Sequence, residues 1–273
     1  MTQQAAGERT ERGRSSVRWP TKAPVVGVPI SMTSYEEVLS LIERRPANAA
    51  MVGTFCNVHS VMSARRRPAL ARAIANADVA TSDGIPLVWA LRATANRRQT
   101  RVYGPDLMHL ALVRGVAHGW KHFFFGTTPE TLGRLTETAN EIAPGVRIVG
   151  VHAPPFRPLT TDEEEGVLQE IRGSGADIVW VGLGMPKQEL WMDRVRDRLP
   201  GIALLGVGAA FDLLSGTVPQ APAWMQRIGL EWFYRLMREP RRLWRRYLWN
   251  NPAYLILLAR QIVFGPRGGG PTA

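Results

Sequence analysis

Residues 177–192 read DIVWVGLGMPKQELWM. The run from Ile178 to Val181 is β-branched or aromatic, the form of a buried strand, and it ends at Gly182 and Gly184. Pro186 then opens a polar, helix-forming stretch that begins Lys187-Gln188-Glu189. Strand, tight turn and helix in so few residues make one βα unit. The polar trio stands just beyond the strand's carboxyl end, where an open α/β sheet presents its ligand site.

The same alternation runs outward in both directions. AMVGTFCN (50–57) is strand-like and VMSARRRPALARAIANA (61–77) is helical, with Pro68 set to kink or restart the helix. DVATSDG (78–84) reads as strand and turn, with the helical IPLVWALRATA after it. HFFFGTT (122–128) leads into PETLGRLTETANEIA, with Thr128 as N-cap and Pro129 in the first helical position. RIVGVHAPPF (147–156) is strand then loop, and TDEEEGVLQEIRGSG is a helix whose acidic first turn suits its dipole. IALLGVG is a last strand before a loop at AAFDLLSG. This spacing predicts βαβ units, hence an α/β fold on a mostly parallel sheet flanked by helices. Parallel strands would bring Asn57, Asp83 and the GVGAAFD loop to the edge that holds Gln188.

Bulk composition sets further bounds. The chain has 273 residues, a formal net charge of +11 and nine tryptophans. A single cysteine, Cys56, excludes an intramolecular disulfide and a cysteine-based zinc cluster, and points to a reducing compartment. No run reaches the roughly 18 apolar residues that span a bilayer. Residues 1–24 are basic without an apolar stretch and read as a disordered leader. Residues 25–218 then form the catalytic core, 219–264 a C-terminal basic and aromatic helical appendage, and 265–273 a flexible tail.

Few residues in the core suit chemistry. Asp83, in Ser-Asp-Gly after a strand, reads either as a turn or cap residue or as a general base at the sheet edge. Arg101 is either an ordinary surface arginine or a bidentate phosphate ligand, leading into a helix start at Gly104-Pro105-Asp106. The turns Gly182-Leu183-Gly184 and Gly206-Val207-Gly208 allow close backbone approach, but neither continues as a dinucleotide fingerprint. Asp212 beyond them suits a ribose or base contact, or a helix cap. Five histidines lie scattered and no Asp-x-Asp pair stands in a loop, a poor basis for a metal site.

From Trp224 to Phe264 there are eight arginines and two glutamates, a net +6, with Trp232, Leu236, Leu243 and Tyr247 at helical spacing. Pro240 divides this stretch into two helices. Two acids cannot pair eight arginines, so a polyanionic partner is indicated: a nucleic acid or, better suited to tryptophan and tyrosine, an anionic membrane surface. Each basic residue near such a surface contributes about 1 kcal/mol. Packing of the tail between subunits is another use of its aromatic face.

The ordered motifs TFCNVHSVMSARR, ADVATSDGIPLVWALR, RVYGPDLM, DIVWVGLGMPKQELWM and GLEWFYRLMREPRRLWRRYL resemble the WecG/TagA/CpsF glycosyltransferases, family 26, over about residues 25–260. The resemblance implies a Rossmann-like core with a membrane-facing helical appendage. It also implies an inverting, metal-independent transfer of a sugar from a UDP-sugar to an undecaprenyl-diphosphate-linked acceptor. The protein would be peripheral, on the cytoplasmic face of the bacterial membrane, and would need no cofactor. Residue by residue, it places the base on Asp83 and a polar pocket on Thr54, Asn57, Arg101 and Gln188. Asp212 is then the nucleotide contact, Phe156 the aromatic near the uracil, and Arg235, Arg242 and Arg245 the acceptor-diphosphate ligands. Thr54 stands one residue out of the family's register, and Gln220 replaces an arginine common before Ala-Pro. N-acetylmannosamine, its uronic acid and glucose all remain open as the sugar. The rival classes are an NAD-dependent oxidoreductase, resting on topology alone, and a basic nucleic-acid-binding protein.

Overall fold

The computed structural model describes residues 17–264. A hairpin of β1 (Lys22–Val25) and β2 (Val28–Ser31) leads to α1 (Tyr35–Glu43). There follow β3 (Met51–Cys56), α2 (Val58–Ala64), α3 (Pro68–Asn76), β4 (Val79–Ser82), α4 (Ile85–Thr94) and α5 (Gly104–His118). Next come β5 (Lys121–Gly126), α6 (Pro129–Ile142), β6 (Arg147–His152), α7 (Thr161–Ser174), β7 (Ile178–Gly182), α8 (Lys187–Val195), β8 (Ala203–Gly206) and α9 (Ala210–Leu214). The appendage comprises α10 (Ala223–Arg227), α11 (Glu231–Arg238) and α12 (Pro240–Phe264).

β3 to β8 form one six-stranded sheet in the order β4-β3-β8-β7-β5-β6, with every neighbouring pair parallel. The central strands are continuous apolar runs because both of their faces are covered. Side chains alternate between those faces with a period of two. Ile178, Trp180, Leu205 and Phe124 join Leu107, Met108, Leu132 and Leu135 of α5 and α6 on one side. Val179, Val181, Leu204 and Phe125 join Val167, Leu168, Met192 and Val195 of α7 and α8 on the other. All six strands therefore end on one edge, as the alternation of elements predicts.

Local signals place the helix boundaries. Pro68 restarts the helix rather than kinking it, standing first in α3 after the Arg65–Arg67 link. Thr128 caps α6 by accepting from the Thr131 amide, with Pro129 at the first position. Two expectations are corrected. The leader does not extend to residue 24, because Lys22–Val25 pairs with Val28–Ser31 and Trp19 packs on the core. The stretch expected as a loop at AAFDLLSG contains the helix α9.

The appendage does not stand apart from the core. Leu243, Asn250, Tyr254 and Leu258 recur on one face of α12 and are buried. Tyr254 and Leu258 share a core with Val61, Leu87 and the hairpin residues Val25 and Ile30. Tyr254 Oη donates to the Pro86 carbonyl at 2.9 Å, and Arg66 donates to Asn250 Oδ1 at 3.2 Å. Gln261 reaches the hairpin, accepting from Val26 N at 2.6 Å and donating to the Pro24 carbonyl at 2.6 Å. It thereby braces a turn in which Val26 (φ 51°) and Gly27 (φ 83°) both have positive φ, a conformation that a β-branched residue rarely takes.

This docking makes Tyr254 a principal anchor. Tyr254→Ala should lower the stability measured by urea unfolding by about 3–5 kcal/mol through its cavity, and Tyr254→Phe by about 1 kcal/mol through one hydrogen bond. Equal effects of the two would show that the hydroxyl, not the ring, carries the contact.

Candidate active site

The carboxyl edge of the sheet opens into a cleft of about 1370 Å³, roofed on one side by the appendage. Asn57, Asp83, Gln188, Asp212 and Phe156 all line it, together with Arg101 and Arg235. Asn57, Asp83, Gly126, Gly182 and Gly206 come to this edge from five of the six strands because those strands are parallel.

Asp83 follows β4. Its amide and that of Gly84 donate to the Cys56 carbonyl at 2.9 and 3.2 Å, which fixes the turn against β3. Its side chain is 16% exposed, and Oδ1 has no hydrogen-bond partner. Burial pushes its pKa up from 3.8 to about 7, against the opposing pull of Arg101. Arg101 donates through Nε to the Asp83 backbone carbonyl, and its Nη2 lies 3.7 Å from Oδ1. The guanidinium also stacks on the Tyr103 ring, 3.9 Å from its centroid.

A residue of the appendage completes this group. Glu231 Oε2 accepts from Arg101 Nη2 at 2.7 Å, while Oε1 accepts from Tyr103 Oη at 2.8 Å and Arg235 Nη2 at 3.1 Å. The two arginines hold the Glu231 carboxyl below its ordinary value although burial opposes them. The sequence reading missed Glu231 and Tyr103. The signal was present: Glu231 is one of only two acids among eight arginines, inside the GLEW motif.

Among the helices that begin at the cleft without side-chain caps are α4 after Gly84, α5 after Tyr103 and α8 after Pro186. Their amides carry partial positive charge toward the opening. Lys187, exposed in the first position of α8, adds a full charge there. Gly184 (φ 73°) and Gly208 (φ 54°) take left-handed conformations in the two turns, as glycine permits.

Three expected pocket residues are hydrogen-bonded within the protein. Gln188 is buried; it donates to the Gly206 carbonyl at 2.7 Å and to Glu189 Oε1 at 3.0 Å, and accepts from Gly184 N at 3.1 Å. Both amide hydrogens are thus committed to the protein, so the side chain clamps the glycine turns together instead of offering donors to a sugar. Thr54 lies beneath the cleft, buried, and donates to Glu189 Oε1 at 3.3 Å. Asn57 caps α2, its Oδ1 accepting from His59 N at 3.0 Å and Ser60 N at 3.2 Å.

The remaining expected residues divide. Asp212 lies in the first turn of α9 on the cleft wall, and Phe156 projects from the rim loop with 84% exposure. Arg235 is in the cleft, but Arg245 is outside it, near the Trp244 ring at 5.2 Å. The Arg242 side chain lies outside the described residues. Among the described residues no three His, Cys, Asp or Glu side chains converge as a metal site requires.

A parallel six-stranded sheet covered by helices on both faces, with a cleft at the carboxyl ends of its strands, defines a Rossmann-like α/β protein. The chain matches the Glycosyl transferase WecG/TagA/CpsF family over residues 23–268 and belongs to it. It is therefore a glycosyltransferase of cell-surface polysaccharide synthesis, which sets aside the oxidoreductase and nucleic-acid readings.

The clamp predicts that Gln188→Ala destabilises the fold by about 1–3 kcal/mol, since Gly206 O, Gly184 N and Glu189 lose a partner. An unaltered unfolding midpoint would return Gln188 to the list of substrate ligands. Asp83 predicts a pH effect of defined sign. Its folded pKa exceeds the unfolded 3.8, so ionisation costs stability increasingly as pH rises toward about 7. Asp83→Asn should therefore gain on the wild type between about pH 5 and pH 7, by up to about 1.4 kcal/mol per pH unit. A constant difference in urea midpoints across that window would contradict the raised pKa.

Proposed function

We propose that the chain transfers a sugar from a UDP-sugar to an acceptor carried on a polyprenyl diphosphate, with inversion at the anomeric carbon and without a metal. The observation that carries this reading is Asp83: a carboxylate at the sheet edge of a glycosyltransferase, lining the cleft with Oδ1 unbonded, whose pKa burial pushes up to about 7. A general base works best when its pKa lies near the working pH. The acceptor hydroxyl attacks the anomeric carbon and gives its proton to Asp83. The bond from that carbon to the UDP oxygen breaks, and its electron pair leaves with the diphosphate. Arg101, Lys187 and the uncapped helix starts supply positive charge for that departing anion. Asp212 and Phe156 are assigned to the nucleoside, and Arg235 to the acceptor diphosphate.

The membrane side of the reading rests on the outer face of α12. Trp249, Ile256 and Val263 are exposed, opposite the buried Tyr254 and Leu258, and Arg245 and Arg260 are exposed with them. An apolar stripe bordered by arginines suits the headgroup layer of an anionic bilayer. No described helix is long and apolar enough to cross a membrane. We assign the protein to the cytoplasmic surface as a peripheral enzyme.

The test is a panel of UDP-sugars offered with a short-chain, diphosphate-linked lipid sugar in the presence of EDTA. One donor should give product, and Asp83→Asn should lower its turnover about 10²–10⁴-fold. Product that vanishes with EDTA would end the metal-independent reading, and full activity in Asp83→Asn would remove the base.

A further inference from the structure

The cleft contains one acid that anion binding does not require. Glu231 places a carboxylate, only 15% exposed, between Arg101 and Arg235. It cancels positive charge where a diphosphate is to bind, so some other function must account for it.

That function lies one contact further on. Arg101 Nη2 stands 3.7 Å from Asp83 Oδ1, beyond hydrogen-bonding reach, and Oδ1 has no other partner. The guanidinium lies within ion-pair range of the base without hydrogen-bonding to its carboxylate. Three contacts hold it there: Nε on the Asp83 carbonyl, Glu231 Oε2 on Nη2 at 2.7 Å, and the Tyr103 ring below, and of these only Glu231 holds Nη2 away from the carboxylate. Freed from Glu231, the guanidinium needs to move only about 1 Å to form a charge-assisted bond with Asp83.

We propose that Glu231 is a positioning residue for Asp83: by holding Nη2 of Arg101 it keeps that guanidinium from closing on the Asp83 carboxylate, and only a docked appendage supplies it. The groups facing Asp83 come from four places. Arg101 comes from the loop before α5, Tyr103 and Asp106 from the start of that helix, Cys56 from the end of β3, and Glu231 and Arg235 from α11. Burial, Glu231 and Asp106 raise the Asp83 carboxyl, whereas Arg101 and Arg235 lower it. Loss of the Glu231 charge removes an upward influence and releases Arg101 to strengthen a downward one, so both effects have one sign. The base is then set for proton transfer only while the appendage is seated on the core. The use of Asp83 as a base rests on the sugar-transfer reading; the coupling between the three side chains does not.

The coupling is measured by ¹³C NMR titration of the aspartate carboxyls in the full chain, with the Asp83 signal identified by its loss in Asp83→Asn. The wild type should titrate near 7. Glu231→Gln should titrate lower by about 1–3 pH units, the effect of an opposite charge brought into contact. Tyr103→Phe breaks a bond to the same carboxylate but keeps its charge, and should titrate with the wild type. A Glu231→Gln midpoint indistinguishable from the wild type overturns the proposal, as do equal shifts in both variants, which would mean a loosened appendage. Should Glu231→Gln not fold, Glu231→Asp keeps the charge one methylene short of Arg101. A lowered midpoint is then expected, and an unchanged one overturns the hold. The acid limb of kcat/KM for transfer should follow the NMR midpoint in each variant. A wild type that titrates as expected but transfers no sugar would sink the reaction and leave the coupling standing.

Discussion

The amide of Gln188 joins what the sheet leaves open. Neighbouring strands β7 and β8 both leave the sheet through glycine turns, where Val207 N and Gly208 N still reach the Val181 carbonyl and a side chain supplies further partners. Gln188 accepts from Gly184 N and donates to Gly206 O, then passes the bond to Glu189 and so to Thr54 of β3. Three elements are thereby fixed beneath one cleft floor. The chain of bonds is buried, and a partly satisfied buried network costs more than an apolar one. Glu189 responds as expected of a carboxyl in such a place: burial pushes its pKa up.

Above that floor the chemistry is a matter of charge balance. Two arginines and two carboxylates meet in a half-buried cluster, and desolvation offsets much of what their attraction contributes. The arrangement is therefore better understood as control over one proton than as a source of stability. Were Arg101 bonded to Asp83, the carboxylate would be well satisfied and a poor base. With Arg101 turned to Glu231, the same burial keeps the carboxyl near neutrality.

The sheet was legible because its strands are buried on both faces. IVWV, ALLG and HFFF carry their assignment in unbroken apolar runs, and Pro68, Thr128 and Pro129 mark boundaries by local rules. The hairpin was not legible: KAPV and VPIS are short, contain proline, and owe their order to α12, more than two hundred residues away. Position relative to the strand ends correctly brought Asn57, Asp83, Asp212 and Gln188 to the cleft. It did not reveal which way a side chain turns. A buried glutamine tying two loops and an exposed one binding a sugar occupy the same place in a sequence, and only the hydrogen-bond partners separate them. Glu231 escaped for a related reason. Counted as a charge it subtracts one from a basic helix, while its effect depends on the arginine it meets.

The two faces of α12 connect these levels. The face bearing Tyr254, Leu258 and Gln261 is packed against α2, α4 and the hairpin, and the opposite face exposes Trp249, Ile256 and Val263. A helix with one face spent on the core and another left apolar has its orientation set by the first, so whatever meets the second meets it at a fixed angle to the cleft. α11 precedes it by a single residue, Glu239, and carries Glu231 and Arg235 into that cleft. A force that shifts the outer face must then be transmitted through α11 to the Arg101 contact. The short covalent path between α12 and the buried Glu231 carboxylate makes the position of one a determinant of the other.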